Sequence, residues 1–257
     1  RAGKGDVLHV VDVETRKGDK YELDIEGVFS ASWSPKGNEI AYVGQSGNSS
    51  DIYIFDLKSQ TSRKITDDIF SDAYPTWSGD GKNIAFVSDR GNKISGEYDG
   101  FMYEHDYSQT DIYSINVETK KIHRITKTDY NESHPVWSKT SDNIFYTSDY
   151  NGVWNLFRHS MAEGEDSEPI PVTNVLTGLQ QPTISGDDKL LIFAGYSGIG
   201  WDLYSMANPL ALKKQTVNPT QFILNGETEE TSIADLRKHK SNMRSMIEES
   251  NNYSDYI

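Results

Sequence analysis

The 257-residue sequence contains no cysteine, which excludes disulfides, thiolate metal sites and a cysteine nucleophile but leaves the compartment open. No apolar run approaches the roughly 20 residues a membrane-spanning helix needs, so no transmembrane segment is expected. The opening Arg1-Ala2-Gly3-Lys4-Gly5 lacks an initiator methionine and the apolar core of a signal peptide, and the chain is expected to be a processed or trimmed piece. Positive charge is scarce as well: 25 Lys and Arg stand against 39 Asp and Glu, a net charge of −14. A nucleic-acid partner would require a basic stripe able to overcome that field. The densest basic stretch, Arg237-Lys238-His239-Lys240, is short, is followed by Glu248-Glu249, and reads as a solvated helix face.

What the sequence does contain is a phrase repeated four times. It reads Trp33-Ser34-Pro35-Lys36-Gly37, Trp77-Ser78-Gly79-Asp80-Gly81, Trp137-Ser138-Lys139-Thr140-Ser141 and, degraded, Ile184-Ser185-Gly186-Asp187-Asp188. The first residues of these copies stand 44, 60 and 47 apart, a period in the mid-forties with one insertion. Each Gly/Asp cluster predicts a tight turn. Short apolar runs follow, Ile40–Val43, Ile84–Val87, Ile144–Thr147 and Leu190–Phe193, too short and too β-branched or aromatic for helices and apolar on both faces, as strands between layers must be. A third element begins at Asp51-Ile52-Tyr53, Asp111-Ile112-Tyr113, Trp154-Asn155-Leu156-Phe157 and Asp202-Leu203-Tyr204, and a fourth is seen in Lys64-Ile65-Thr66, Arg124-Ile125-Thr126 and Pro171-Val172-Thr173.

Four-stranded units at this period predict an all-β fold, a β-propeller whose blades stack face to face. Asp6–Asp12 and Lys20–Asp24 match third and fourth strands, so the first blade is partial and five blades are recognisable. They are read as part of a six-bladed ring, which needs about 250 residues at this period. The repeats end near Leu210, giving a propeller over 1–210 and a linker with a C-terminal helical tail over 211–257; Gln221-Phe222-Ile223-Leu224 is a candidate closing strand. In the tail, Ser232 with Asp235 forms a capping-box variant, and Ile233, Leu236, Met243 and Ile247 recur at near-helical spacing, predicting a helix over about 233–249.

The copy Tyr74-Pro75-Thr76-Trp77-Ser78-Gly79-Asp80-Gly81-Lys82-Asn83-Ile84-Ala85-Phe86-Val87-Ser88-Asp89-Arg90 resembles the repeat of the TolB-like, PD40 class of WD40-related propellers, and the resemblance covers about residues 6–210. It implies membership among propeller domains of bacterial envelope proteins, with a periplasmic or outer-membrane-associated location. That family includes a periplasmic partner of an outer-membrane lipoprotein, the substrate-gating propellers of prolyl-oligopeptidase-like peptidases, and oligogalacturonate lyases. A shared fold does not carry function across, so each possibility needs its own residues.

Ser30, Tyr74, His134 and Gln181 share one phase, three residues before the Trp or its Ile184 equivalent. In a propeller that phase faces a mouth of the central channel, so the four are candidates for a ring of polar groups around a ligand or partner; the plainer reading is a solvated mouth. Lyases of this family gather several histidines at the channel. His9, His105, His123, His159 and His239 do not share the phase of His134, which argues against that chemistry. Gly195-Tyr196-Ser197-Gly198-Ile199-Gly200 resembles a Gly-x-Ser-x-Gly elbow, but Ile199 stands where the last Gly belongs and no strand-to-helix pattern follows; a loop between strands is the better reading. The insertion from Gly91 to Gln109 offers Tyr98, Phe101, Tyr103 and Tyr107 as contact residues on a loop, or else packs on its own blade. Its acids do not have EF-hand spacing, and no metal or other cofactor is expected. The sequence therefore predicts a non-catalytic envelope propeller that acts as a protein-protein interaction scaffold or as the periplasmic domain of a larger outer-membrane-associated protein. The alternative is the gating propeller of a serine peptidase whose catalytic domain lies elsewhere, and a sugar lyase ranks third.

Overall fold

A computed structural model describes residues 6–47, 49–94, 105–163, 167–221, 223 and 224. Residues 1–217 form one compact unit and 218–257 a second. The first unit is built almost wholly of antiparallel strands. β1 (Val7–Val11) and β2 (Gly18–Glu22) pair as a two-stranded sheet. Three four-stranded sheets follow in chain order: β3 (Gly27–Trp33), β4 (Glu39–Ser46), β5 (Ser49–Asp56) and β6 (Thr61–Lys64); β7 (Asp72–Trp77), β8 (Asn83–Ser88), β9 (Asp111–Asn116) and β10 (Ile122–Arg124); β11 (Glu132–Trp137), β12 (Asn143–Ser148), β13 (Asn155–Ser160) and β14 (Ile170–Pro171). The last sheet has three strands, β15 (Leu179–Ile184), β16 (Leu190–Ser197) and β17 (Gly200–Ala207). The innermost strands β3, β7, β11 and β15 are neighbours in succession. Among the described residues this is the propeller arrangement, with four blades counted from β3–β6 onward and the β1–β2 pair before them.

The repeated phrase makes the turn between the first two strands of each blade. Gly37 and Gly81 adopt φ of 70° and 73° and donate their N–H groups to the carbonyls of Ser34 and Ser78, a conformation that costs glycine nothing. In the degraded copy Asp188 takes that place at φ 56°, and its carboxylate has a second task. It accepts hydrogen bonds from the Lys139 and Thr140 N–H groups, both at 2.8 Å, and from the Ser138 and Thr140 hydroxyls. Burial works against the ionised form, but these donors hold the Asp188 carboxyl below its ordinary range. The turn of the fourth blade is thereby tied to the turn of the third. Between the second and third blades the contact is closer still: a Cβ on Gly79 would lie 2.3 Å from the Lys139 carbonyl oxygen.

Each interface between successive sheets has its own apolar core. Ile52, Ile54 and Ala41 meet Trp77, Ile84 and Phe86 between the first and second blades. Ala85, Val87 and Ile112 meet Trp137, Ile144 and Tyr146 at the next interface, and Phe145, Leu156 and Val172 meet Leu179, Ile184 and Leu191 at the third. The Trp therefore faces the preceding blade, and the Trp77 indole N–H donates to the Ser32 carbonyl of that blade at 3.2 Å. Trp33 is 49% exposed where Trp77 is 1%, because the sheet before it has only β1 and β2 and no inner strands to cover it. Within every blade the second and third strands carry an aromatic pair in direct register: Tyr42 with Tyr53, Phe86 with Tyr113, Tyr146 with Phe157, Phe193 with Tyr204. Their ring centroids lie 5.4–6.0 Å apart, a cross-strand contact that stabilises each sheet.

Two expectations need correction. Among the described residues the fourth blade lacks its fourth strand. Asn208 turns the chain into the left-handed region at φ 51°, Pro209 can donate no ladder hydrogen bond, and Pro209–Ala211 form a 3-10 turn. The chain then runs back along the third blade, where the Gln215 N–H donates to the Pro171 carbonyl. Nor do the described residues of the Gln221–Leu224 tetrapeptide form a closing strand: the Leu224 N–H donates to the Thr220 carbonyl in a helical turn opened by Pro219, a residue suited to that position. The helix expected over 233–249 lies outside the described residues. Among the described residues no helix is long and apolar enough to cross a membrane.

Candidate functional site

In each innermost strand the ladder with the second strand slips by one residue. The irregularity falls between Val28 and Ala31, Ala73 and Thr76, Ser133 and Val136, and Gln180 and Thr183, so two residues oppose one, as in a β-bulge. Ser30, Tyr74, His134 and Gln181 all sit in these bulges. Tyr74, His134 and Gln181 are followed by Pro75, Pro135 and Pro182, which lack the N–H a regular ladder would use, and they adopt φ of 51°, 49° and 52°. Ser30 is followed by Ala31 and is not among the left-handed residues. A left-handed non-glycine residue costs on the order of 1 kcal/mol. The repeat accepts that cost at the same place in three blades, and the bulge re-aims the side chain.

The four positions are connected in space. The Tyr74 N–H donates to Ser30 Oγ at 3.2 Å, bridging the first and second blades. The Tyr74 ring lies against the His134 ring of the third blade, with centroids 4.0 Å apart and planes at 31°. Ser30, Tyr74 and Gln181 line one cavity of about 690 Å³ together with Phe29, Gln45 and Asp72. Phe29 and Tyr74 present 63% and 39% of their surface. Burial pushes the His134 imidazole down to about 4, so it is neutral near pH 7. Its Nδ1 is buried and no described group hydrogen-bonds to it.

Beside this cavity, which Asp72 also lines, lies a cluster that the sequence reading missed. Arg90 is fully buried and donates to Asp68 at 2.9 Å, Asp72 at 2.7 Å and Ser88 at 3.0 Å. Its guanidinium carbon lies 5.3–5.6 Å from the rings of Phe70, Phe86 and Tyr113, within cation–π range. Burial raises the Asp72 carboxyl to about 6 although Arg90 pulls it down. Glu132 holds the Asp72 position in the third blade, but Tyr150 stands where Arg90 would. Among the described residues only hydroxyls hydrogen-bond to the Glu132 carboxyl, Thr128 Oγ1 at 2.6 Å and Thr126 Oγ1 at 3.1 Å, and burial pushes it up to about 8. The signal was available in the aligned repeats, where an acid stands two residues before Tyr74 and His134 and a basic residue ends only the Ser88-Asp89-Arg90 copy.

Tyr107 is 57% exposed and edge-on to His105 at 4.8 Å. Tyr98, Phe101 and Tyr103 lie outside the described residues. Gly195–Gly200 form the end of β16, a two-residue hairpin turn and the start of β17, with Ser197 paired to Gly200 and Gly198 at φ 55°.

The TolB beta propeller domain family, PD40, matches residues 2–95. Among solved structures, TolB from Acinetobacter baumannii is similar at a TM-score of 0.65 and 20% identity, over 85% of this chain and 51% of that one. A structure assigned as TolB from Agrobacterium tumefaciens is similar at 0.63 and 19%, over 79% and 70%. A Mycobacterium tuberculosis puromycin-hydrolyzing peptidase shares the fold at 0.57 and 16%, over 82% of this chain and 35% of that one. The chain thus spans about half the length of the Acinetobacter protein. No curated protein sequence matches it significantly. Residues 2–95 thus match the TolB beta propeller domain model, PD40, and the chain shares its fold with the TolB structures.

Proposed function

We propose that this chain is a non-catalytic propeller of the bacterial cell envelope, periplasmic or outer-membrane-associated, that captures a protein segment at the mouth formed by Ser30, Tyr74, His134 and Gln181. The observation that carries the reading is their convergence: three of the four line one cavity, and the fourth packs its ring against Tyr74. A neutral His134 carries one donor and one acceptor nitrogen, Gln181 offers both donor and acceptor, and Phe29 and Tyr74 supply aromatic surface. The blades hold these groups in place, so docking does not have to order them. Likeness to TolB supports the envelope setting, and the net charge of −14 favours a basic partner. The propeller is read as ending near residue 210, with 211–257 as linker and tail, and its blades as an arc of a six-bladed ring. Tyr107, the described aromatic of the insertion, is read as a secondary contact residue.

The test is capture from an envelope extract by the full chain and by Tyr74→Ala/Gln181→Ala and His134→Phe variants. Both residues of the double variant are exposed, and Phe preserves the ring contact of His134 without its nitrogen. Each variant is expected to retain its melting temperature and to lose capture by about tenfold. Undiminished capture by the double variant would refute the mouth and shift attention to the insertion. The second reading, a gating propeller of a serine peptidase, draws on the fold shared with the Mycobacterium peptidase and calls for a hydrolase domain on the same polypeptide.

A further inference from the structure

The three complete blades close their third strand in the same way. In the first, the Ile65 N–H donates to the Ile52 carbonyl and the Ile52 N–H donates to Thr66 Oγ1. Ile125 and Thr126 clasp Ile112 identically, and Val172 and Thr173 clasp Leu156. A charge pair accompanies the clasp wherever the third strand begins with Asp. Lys64 meets Asp51 at 2.9 Å and Arg124 meets Asp111 at 2.6 Å, while in the third blade Asn155 replaces the acid and Pro171 the base. Acid and base are thus present together or absent together.

The fourth blade has one half of this arrangement. Leu203 stands opposite Ala194 as Ile52 stands opposite Val43, so by the same register its N–H and C=O point to the outer edge of β17, where no described strand pairs. Leu203 is 80% exposed, whereas Ile52, Ile112 and Leu156 are fully buried. Asp202 keeps the acid, accepting from the Ser197 hydroxyl, and has no basic partner among the described residues. Asn208 to Gln215 cannot supply the strand, because they run back to the third blade.

We propose that the outer edge of β17 is a docking site for an extended segment of another polypeptide carrying Lys or Arg, then Ile or Val, then Thr, added as the missing fourth strand. The Leu203 carbonyl accepts from a backbone N–H of the segment, the Thr hydroxyl accepts from the Leu203 N–H and so fixes the register, and Asp202 selects the basic residue. This is strand addition to an exposed sheet edge, in which the backbone supplies affinity and the side chains supply specificity. The occupant is chosen by charge complementarity, since every Asp at this position in the complete blades has a Lys or Arg beside it.

The probe is a fluorescent peptide with the sequence of residues 59–67, which contains Lys64-Ile65-Thr66, titrated into the full chain by anisotropy. The comparison peptides replace its Lys64 by Glu or its Thr66 by Val. The native peptide is expected to bind, and each substitution to weaken it by about tenfold. In Asp202→Lys, an exposed change, the preference should reverse towards the Glu peptide. Absence of binding, or equal binding of the Lys and Glu peptides, would overturn the proposal. A concentration-dependent dimer in sedimentation that Asp202→Lys abolishes would also overturn it, in favour of a second copy on this edge.

Discussion

Tyr74, His134 and Gln181 hold φ near 50° with side chains for which that conformation is unfavourable. Strain of this kind persists where the surroundings over-determine the backbone, and it gathers at ligand sites. Gln181 is the cleanest place to measure it, since its side chain is exposed and little packing is lost on removal. Gln181→Gly is expected to raise stability by about 0.5–1 kcal/mol, the left-handed penalty less the added chain entropy of glycine, read as a higher urea midpoint. Gln181→Val, stiff at χ1, should lower it. A midpoint that falls in the glycine variant would show that the Gln181 side chain anchors the bulge. The phase of these residues was legible because each stands three positions before Trp33, Trp77, Trp137 or Ile184. Their handedness was not legible, because nothing in the identity of Tyr, His or Gln announces a positive φ. Nor did sequence alone distinguish Ser30, where Ala31 replaces the proline of the other copies.

At the scale of a blade, the second and third answer the same problem differently. Arg90 neutralises Asp68 and Asp72 in one; in the other, Glu132 is left with two threonine hydroxyls and with Asp111, Asp149 and Tyr146 as its electrostatic neighbours. The consequence is a pH dependence whose sign can be worked out. The Glu132 carboxyl keeps its proton in the folded state up to about pH 8, while the unfolded chain releases it near 4.5. Stability therefore falls as pH rises through that window and is level above it. Glu132→Gln removes the proton uptake, so the variant should gain melting temperature relative to the parent on going from pH 5 to pH 8. A constant difference between the two across that range would contradict the assignment. The comparison with the parent is needed because Asp72, raised to about 6, adds a change of the same sign, and His134, lowered to about 4, makes stability fall as pH drops below 6.5. An acid at this repeat position could be read from Asp72 and Glu132. Its burial could not, since Ser88-Asp89-Arg90 reads as a run of surface charge until the fold closes over it.

Across the whole propeller, protection from solvent follows from which sheets have neighbours. The second blade is covered on both faces, whereas β17 has a strand on one side only and exposes Trp201 through Ser205 without interruption. Hydrogen exchange should be slowest in β8 and β9 and fastest in β17 among the strands of the four blades. Slow exchange in β17 would mean that its edge is already occupied in the isolated chain. The propeller class was legible because one phrase recurs four times. The missing strand was not, because the turn at Asn208-Pro209 that diverts the chain looks like any loop. Gly79 shows what such local departures mean. The first copy of the phrase has Pro35 after its Trp-Ser, and the second blade has Gly79 there because the Lys139 carbonyl of the next blade occupies the space a side chain would need. The blades are therefore not interchangeable parts. Rewriting the second copy to match the first would set it against its neighbour, so the unit that can be duplicated, shuffled or transplanted is the adjoining pair and not the single repeat.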